Sequence, residues 1–201
     1  MTVARRRARS LDGRPPSAPR PRAVVLLRAV NVGGHVLPMT TFRSVLREVV
    51  GSEPTTVGAS GNAVVELTPG RDVATWEHTI AHALERALGW EADVFVRPAE
   101  MWERLVAGNP FPSEARSDPA HLVLATLSAA PTESAWKALD RAIVGRERVR
   151  PGERAAYIVY PDGIGRSKLT TAVIERSLGV RSTSRNWNTA LALLRLLAST
   201  P

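Results

Sequence analysis

The 201-residue chain contains no cysteine. This absence excludes disulfide bonds and thiolate metal sites, and it fits a reducing compartment, so the sequence predicts a cytoplasmic protein. The chain also lacks any apolar run near the roughly 18 residues that a membrane-spanning helix requires. The one apolar run close to its start, residues 23–27, is short and ends at Arg28, which is not typical of a secretory signal. The composition therefore predicts no membrane partner.

No sequence pattern identifies a catalytic nucleophile, a set of metal ligands or a cofactor site. His78 and His82 stand four residues apart on a predicted helix, but the common zinc motif would also require a glutamate after the first histidine. Trp76, Ile80 and Leu84 are predicted to occupy the buried face of that helix, which leaves the histidines exposed. We therefore predict no metal site and name no cofactor, and the question of catalysis stays open.

Lysine is scarce, and positive charge is distributed unevenly. Only two lysines, Lys137 and Lys168, accompany 25 arginines. Residues 1–22 carry seven arginines and one acidic residue, whereas the other 179 residues carry 20 basic and 18 acidic side chains, so most of the net charge of +8 lies in this arm. The arm is rich in proline and alanine and poor in large apolar residues. We predict that residues 1–22 are disordered and able to bind nucleic acid nonspecifically.

The apolar pattern of the first half predicts an α+β fold. Two amphipathic stretches predict helices over about residues 39–50 and 72–88, and Gly51 and Gly89 follow them as C-terminal caps. β-Branched runs predict four strands, which are residues 23–28, 55–57, 63–67 and 93–97. The resulting order β-α-β-β-α-β is that of a ferredoxin-like split βαβ unit. We therefore predict a ferredoxin-like subdomain over residues 23–98.

The second half is predicted to be a further α+β subdomain that ends in two helices. A short helix and a loop rich in Asn, Pro and Ser form a linker over residues 99–119, and the subdomain covers residues 120–201. Its elements begin again with the order β-α-β-β-α, which suggests a structural duplication without a visible sequence repeat. The predicted strands are residues 121–127, 146–150 and 155–160, and the predicted helices are residues 133–143, 167–178 and 186–198.

Two polar clusters in the second half are predicted to lie where helices begin. Unpaired backbone N–H groups and the positive end of the helix dipole suit such a position to an anion. The first cluster follows a glycine-rich turn that lacks the spacing of a Walker A loop, and the second contains an arginine able to bind an oxyanion. The candidate ligand-binding residues are Arg166, Ser167 and Lys168 in the first cluster and Arg185, Asn186, Trp187, Asn188 and Thr189 in the second.

Both clusters also have a purely structural interpretation. Ser167 could be the N-cap of the following helix, and Trp187 could either stack on a base or hold the last helix against the core. Two turns of the first half complete the candidate ligand-binding set, although turn chemistry is their simpler explanation, since glycine and asparagine tolerate positive φ. The candidate residues in these turns are Asn31, Gly33, Gly34, Ser60 and Asn62.

Several motifs occur in one fixed order along the chain. They are Asn31-Val32-Gly33-Gly34, Ser60-Gly61-Asn62, Asn109-Pro110-Phe111, Gly165-Arg166-Ser167-Lys168-Leu169, and Thr183 with Arg185-Asn186-Trp187-Asn188-Thr189. This ordered set resembles domain-of-unknown-function family 1697, a bacterial family, over residues 23–198. The resemblance implies a cytosolic α+β protein with a ferredoxin-like part and no established activity. The chain departs from the family at Ala29, which follows Arg28 where Gly-Ile is usual, and at Gly58-Ala59-Ser60, where an aromatic residue and a glutamine are typical.

These observations lead to one principal hypothesis and two alternatives. The principal hypothesis is a protein that binds a small phosphate- or carboxylate-bearing ligand, such as a nucleotide, at helix N-termini of the second half. The first alternative is nucleic-acid binding through the arm and a ferredoxin-like sheet. Against it stand the nearly neutral body and the single aromatic residue of the predicted first-half strands, Phe95. The second alternative is a protein-interaction module, which no specific feature of the sequence supports.

Overall fold

The computed structural model describes residues 20–31 and 36–199. Most of the predicted arm lies outside these residues, as do Gly33 and Gly34, and β1 begins at Arg22, the last residue assigned to the arm. The elements of the first half are β1 (Arg22–Arg28), α1 (Met39–Val50), β2 (Thr55–Thr56), β3 (Asn62–Glu66), α2 (Val73–Leu88), β4 (Asp93–Pro98) and α3 (Ala99–Ala107). Those of the second half are α4 (Pro112–Ser117), β5 (Leu122–Leu127), α5 (Glu133–Ala142), β6 (Arg148–Gly152), β7 (Ala155–Val159), α6 (Thr171–Leu178), β8 (Ser182–Asn186) and α7 (Trp187–Ala198).

The first sheet is antiparallel, and its strands lie in the order β2-β3-β1-β4. Its central strand β1 is buried on both faces, with Val25 packed in one apolar cluster and Val24 and Leu26 in another. A strand that is covered on both sides requires apolar residues at successive positions rather than at alternate ones. The short apolar run that the sequence shows after Arg22 therefore becomes the centre of this sheet.

Helices α1 and α2 pack on one face of the first sheet. Phe42 of α1 and Ile80 of α2 are fully buried there, on the apolar stripes that the sequence predicted. Asp72 caps α2 by accepting a hydrogen bond from the backbone N–H of Thr75 at 2.7 Å. A glycine at positive φ ends each helix, as the sequence also predicted.

The second sheet repeats this arrangement with the strand order β6-β7-β5-β8, again antiparallel throughout. The sequence analysis missed β8, because its residues are polar and show no apolar alternation. Ser182 and Thr183 are nevertheless buried. The N–H of Ser182 donates to Glu175 at 2.7 Å and the hydroxyl of Thr183 donates to the carbonyl of Leu27 at 2.9 Å, so the polar groups of this strand are satisfied.

The β6–β7 hairpin is shifted relative to its prediction. Gly152 pairs with Ala155, so the turn consists of Glu153 and Arg154, with Arg154 at a φ of 48°, and Pro151 lies within the strand. The sequence places the turn of this hairpin around Pro151-Gly152, between the predicted strands 146–150 and 155–160, and this prediction is therefore wrong. The physical reason is that β6 is an edge strand, where a proline can face away from the neighbouring strand without breaking the hydrogen-bond ladder.

Two helix boundaries in the second half also differ from the predictions. The loop predicted over residues 109–119 contains α4, which begins at Pro112 because the fixed φ of proline suits a first helical position. Helix α6 begins at Thr171 rather than Ser167, since Thr170 accepts the capping hydrogen bond from Val173. The first polar cluster therefore precedes the helix by several residues, and its predicted place at a helix N-terminus is wrong.

Helices α3 and α7 join the two sheets into one core. Side chains from both helices pack in a single apolar cluster with the inward-facing residues of both sheets. Trp102 of α3 is fully buried, and its indole N–H donates to the carbonyl of Ala190 in α7 at 3.1 Å. Helices α5 and α6 cover the far face of the second sheet. The described residues thus form an α+β protein with two four-stranded antiparallel sheets and seven α-helices, which confirms the predicted α+β class.

Candidate functional site

Two loops of the second half lie side by side and enclose a cleft of about 250 Å³, which we call the loop cleft. One loop joins α5 to β6, and the other joins β7 to α6. The guanidinium of Arg146 on the first loop donates to the carboxylate of Asp162 on the second at 3.0 Å, and this contact holds the loops together. The residues that line the loop cleft are Val144, Gly145, Arg146, Glu147, Asp162, Arg166, Ser167 and Lys168.

The second loop is shaped by its glycine-rich sequence. Gly163 has a φ of 84°, a conformation that favours glycine, and its N–H donates to the carbonyl of Tyr160 at 2.9 Å. A single 3-10 turn over Ile164–Arg166 follows. Ser167 then accepts a hydrogen bond from the N–H of Leu169 at 2.9 Å and donates its own proton to Glu147. Ser167 therefore closes the loop, and it is not the helix cap that the sequence offered as the alternative role.

Positive charge dominates the loop cleft. Arg146 forms an ion pair with Asp162, and this contact lowers the pKa of the Asp162 carboxyl, with a smaller contribution from the charge of Arg166. Within residues 20–31 and 36–199, the side chains of Arg166 and Lys168 form no ion pair within 4 Å and donate no hydrogen bond, and Asp162 attracts the Arg166 guanidinium only at longer range. Two exposed cationic side chains therefore line one cleft, and such an arrangement attracts an anionic ligand.

Glu147 is the acidic side chain on the opposite wall of this arrangement. One carboxylate oxygen, Oε1, accepts the hydrogen bond from Ser167, whereas the other, Oε2, is buried and has no partner among the described residues. Gly145 makes room for the carboxylate, because a β carbon at this position would collide with it. The carboxylate of Glu147 therefore packs against Gly145 and Ser167, and it holds the two loops of the cleft together.

Arg185 of β8 occupies a different place, between the two halves of the protein. Its guanidinium donates to the carbonyls of Leu27 and Ser60 at 2.8 Å each, to the hydroxyl of Thr183 at 2.9 Å, and to the side-chain oxygen of Asn62. With the carbonyl of Ser184 as a further acceptor, all five N–H donors are engaged. Burial lowers the pKa of Arg185 to about 10. This arginine binds the second half to the turn after β2, and no donor remains free for an oxyanion.

The turns that follow β1 and β2 in the first half contact each other next to Arg185. Asn31, at a φ of 60°, donates from its amide to the carbonyl of Ala59 at 2.6 Å and accepts from the N–H of Leu37 at 2.9 Å. Gly61 lies so close to Leu27 that a β carbon would approach that side chain to 2.7 Å, and its φ is also positive. These contacts bring together the candidate residues Asn31, Ser60, Asn62 and Arg185.

Helix α7 begins directly after this contact. Asn186 caps the helix by accepting a hydrogen bond from the N–H of Thr189 at 3.0 Å, so the predicted helix start at the second cluster is correct. Trp187 is buried in the apolar cluster between the sheets, so it holds the last helix against the core, which was the structural interpretation of this residue. Its buried ring cannot stack on a base. Asn188 is exposed, and Thr189 is half-buried.

The structure places the predicted site residues in three locations. Arg166, Ser167 and Lys168 line the loop cleft, whereas the other described candidates lie at the contact between the halves or at the start of α7. The sequence analysis missed Arg146, Glu147 and Asp162 as members of the cleft. Charged residues in a predicted hairpin and turn give no local signal of this role, because it arises only when the two loops meet.

The histidine pair of α2 gives no metal centre. The rings of His78 and His82 stack with their centroids 6.5 Å apart. They line a separate pocket of about 340 Å³ with residues that include Glu85 and Glu91. Within residues 20–31 and 36–199, no group of three or more His, Cys, Asp or Glu side chains is arranged to hold a metal ion. In the same part of the chain, every helix is too short or too polar to span a bilayer.

The fold and the loop cleft together define an α+β protein with two similar four-stranded sheets and a small polar cleft at one end of the second. The chain belongs to the family described as Protein of unknown function (DUF1697), whose sequence pattern matches residues 21–157. This match confirms the family resemblance. A solved structure of a conserved bacterial protein from Streptococcus pneumoniae has the same fold, with a TM-score of 0.70 and 16% identity over 90% of this chain and 99% of that one. No curated protein matches the chain.

Proposed function

We propose that the protein binds a small phosphate- or carboxylate-bearing ligand, such as a nucleotide, in the loop cleft. The observation that carries this proposal is the presence of two cations, Arg166 and Lys168, that line one cleft and whose side chains form no hydrogen bond or close ion pair with the described residues. A phosphate or carboxylate placed between them would form charge-assisted hydrogen bonds, which are stronger than those between neutral groups. Arg146 would add to the attraction at longer range, because Asp162 already occupies its guanidinium.

The proposed mode of binding differs from a helix N-terminus. Because α6 begins at Thr171, its dipole does not act directly on a ligand held by Arg166 and Lys168. Side-chain charge on a short 3-10 turn would hold the anion instead. Ser167 contributes by fixing the loop through Glu147 and Leu169 rather than by touching the ligand.

The remaining candidate residues take a positioning role in this proposal. Ser60, Asn62 and Arg185 hold the two halves together, and Arg185 has no donor left for a ligand. Asn31 binds only first-half residues, Ala59 and Leu37. Ligand contact by the α7 start, which includes Asn186, Trp187, Asn188 and Thr189, and by Gly33 and Gly34, which lie outside the described residues, stays a prediction with no contact to support it.

The proposal is tested by the thermal stability of the full chain with inorganic phosphate, pyrophosphate, adenosine monophosphate and citrate. A ligand present at 100 times its Kd stabilises the folded state by about 2.7 kcal/mol, which raises Tm by roughly 5–10 °C for a chain of this size. The double variant Arg166→Ala/Lys168→Ala should lose the shift and keep its ligand-free Tm.

The matched control for this experiment is Arg86→Ala/Lys137→Ala, which removes the same charge from exposed positions away from the loop cleft. The control should keep the full shift. A screen with no shift, or a shift that survives the double change at Arg166 and Lys168, would contradict the proposal.

Two finer assignments accompany this proposal. We infer that each half is ferredoxin-like, which is supported by the orders β2-β3-β1-β4 and β6-β7-β5-β8 with antiparallel neighbours throughout. We also propose a cytoplasmic location, which the lack of cysteine supports.

The nucleic-acid alternative has less support, because Phe95 is buried and the first sheet therefore offers no aromatic surface to a base. No described contact favours the protein-interaction alternative.

A further inference from the structure

A second cleft lies between helix α5 and the edge strand β6, and we call it the α5 cleft. One face of α5 and residues 149–151 of β6 line it. Its volume is about 360 Å³, which is larger than that of the loop cleft, and the two clefts share no lining residue. Cavities that bind small molecules commonly have volumes of about 300–1,000 Å³ and mostly apolar walls with a few polar groups. The α5 cleft is therefore large enough for a small organic ligand.

The apolar wall of the α5 cleft is built around Trp136. Part of this side chain packs in the apolar cluster that α5 and α6 form with the second sheet, and the rest lines the cleft beside Leu139 and Val149. The indole N–H forms no hydrogen bond with any residue that the structure describes, and it is not shielded from solvent. A ligand in this cleft therefore meets an aromatic surface, which favours stacking with another ring, and a free hydrogen-bond donor.

The charged groups around the α5 cleft leave an excess of one positive charge. Lys137 forms an ion pair with Glu133 at 2.6 Å, so these two charges balance each other. The other charged residues of the lining are Arg141, Arg150 and Asp140, and none of them forms an ion pair within residues 20–31 and 36–199. The guanidinium of Arg150 donates to the carbonyl of the residue before it at 2.9 Å, and that residue also lines the cleft. A single negative charge on a ligand would complement this arrangement.

We propose that the α5 cleft binds a small planar aromatic molecule that carries one carboxylate. The ring packs against Trp136 and Val149, and the guanidinium groups of Arg141 and Arg150 hold the carboxylate, whose geometry they match. A doubly charged phosphate suits the cleft less well, because the carboxylate of Asp140 lies on the same lining. This second site is separate from the loop cleft, so the inference does not depend on the proposed function.

Calorimetric titration of the full chain with three related probes tests the class of ligand. Cinnamate carries both a planar ring and a carboxylate, cyclohexaneacrylate has the same carboxylate on a saturated ring, and cinnamamide has the same ring without the charge. We expect cinnamate to bind at least about fivefold more tightly than either of the others, because a saturated ring cannot stack and an amide forms no charge-assisted pair with a guanidinium.

The position of the ligand can be read from the five tryptophans of the chain. Magnetic resonance spectra of protein with isotope-labelled indole nitrogens contain one N–H signal for each tryptophan, and Trp136→Phe identifies the signal of Trp136 by its loss. Cinnamate should shift this signal and leave the other four in place, because the indole N–H of Trp136 is free and lies on the lining of the cleft.

A pair of charge variants tests the role of the arginines. Arg141→Gln/Arg150→Gln should weaken cinnamate binding at least about fivefold and leave the affinity for cinnamamide unchanged, since only the carboxylate requires the guanidinium groups. The matched control is Arg86→Gln/Arg195→Gln, which removes the same charge from exposed positions of α2 and α7 and should keep the full affinity for cinnamate.

The outcomes separate this inference from the proposed function. The inference is overturned if cinnamate binds no more tightly than cyclohexaneacrylate, if the Trp136 signal does not move, or if Arg141→Gln/Arg150→Gln keeps the full affinity. Cinnamate binding that disappears in Arg166→Ala/Lys168→Ala would place the probe in the loop cleft, which overturns this inference and supports the proposed function. Failure of cinnamate to bind at millimolar concentration overturns the inference alone, because the thermal screen tests the loop cleft with other ligands.

Discussion

Ala29 holds a backbone conformation that residues with a β carbon rarely adopt. Its φ is 57°, directly after β1, and its side chain is exposed. The left-handed conformation costs about 1–2 kcal/mol for a residue other than glycine. We expect Ala29→Gly to raise the free energy of unfolding by about 0.5–1 kcal/mol, since relief of this strain exceeds the added entropy of the unfolded chain. Equilibrium denaturation in urea measures the change.

The control for this prediction is Ala83→Gly within α2. A glycine in a helix interior costs about 1 kcal/mol, so this variant should lose stability. A loss of stability in both variants would contradict the left-handed conformation of Ala29. The resemblance to the family points the same way, because glycine is usual there after the arginine that corresponds to Arg28.

Arg185 is predicted to stabilise the protein rather than bind its ligand. Arg185→Met leaves the carbonyl of Ser60 and the amide oxygen of Asn62 without this donor, whereas the carbonyl of Leu27 keeps the Thr183 hydroxyl. Loss of hydrogen bonds from a charged group to buried acceptors costs about 3 kcal/mol. We expect that decrease in the free energy of unfolding, measured in urea, together with unchanged anion affinity at low temperature.

Arg176→Met serves as the comparison for Arg185→Met, because Arg176 lies in the exposed last turn of α6. It should change the free energy of unfolding by less than about 0.5 kcal/mol. If Arg185→Met abolished anion binding and kept its stability, Arg185 would belong to the binding site after all.

At the residue scale, the sequence revealed two of the three cations of the loop cleft, Arg166 and Lys168, but neither Arg146 nor the two acidic residues. Lys168 was noticeable because lysine is rare in this chain and because it follows a glycine-rich turn. Glu147 stands 21 positions before Lys168, between Arg146 and Arg148, in a run of charged residues that is typical of any solvent-exposed segment. Glu147 becomes part of the cleft only because the two loops contact each other. A tertiary contact of this kind leaves no local sequence pattern.

At the scale of elements, Glu175 connects α6 to both β1 and β8. Arg28 forms two hydrogen bonds of 2.8 Å with its carboxylate, and the N–H of Ser182 donates to it at 2.7 Å. Burial alone would raise the pKa of Glu175, but the hydrogen bonds from Arg28 and Ser182 outweigh burial and lower it. The ionised form therefore stabilises the folded state.

The pH dependence of this contact follows from the direction of the shift. A carboxyl whose pKa is lower in the folded state contributes its full stability above its unfolded pKa of about 4.3 and loses it as the pH falls through the folded pKa. We expect Glu175→Gln to be less stable than the unchanged protein at pH 7 and to lose less stability below pH 4. Urea midpoints measured between pH 3 and pH 7 test this. Parallel pH curves for the two proteins would contradict it.

The sequence predicted an element correctly where residues within that element stabilise it. α1 and α2 carry their own apolar stripes and glycine caps, and they were predicted with nearly correct boundaries. β8 depends on hydrogen bonds from Thr183 and Arg185 to the first half, so its polar sequence resembles a loop. The hairpin turn was misplaced because proline is common in turns, whereas Pro151 lies on an edge strand, which also tolerates it.

At the scale of the whole molecule, we predict that the two halves unfold together. Leu193 of α7 is fully buried in the cluster that both sheets share. Leu193→Ala should lower the free energy of unfolding by about 2–5 kcal/mol. Native-state hydrogen exchange should show this decrease equally for amides in β1 and in β5. A decrease confined to β5 would show instead that the halves unfold independently.

The two sheets have the same strand order, and this similarity explains why the apolar cluster between them can form. Each half covers one face of its sheet with its own helices, α1 and α2 in the first half and α5 and α6 in the second. The remaining face of each sheet is apolar and needs a partner. The other half provides that partner, and α3 and α7 fill the space between them.

One outer strand of each sheet, β2 in the first and β6 in the second, affects how the protein behaves at high concentration. The first sheet ends in β2, which has only two residues, and the second ends in β6, which carries Arg148, Arg150 and Pro151. Very short strands, positive charge and proline each discourage a foreign strand from extending a sheet. Freshly synthesised copies at high density should therefore resist fibril growth and strand exchange through these edges.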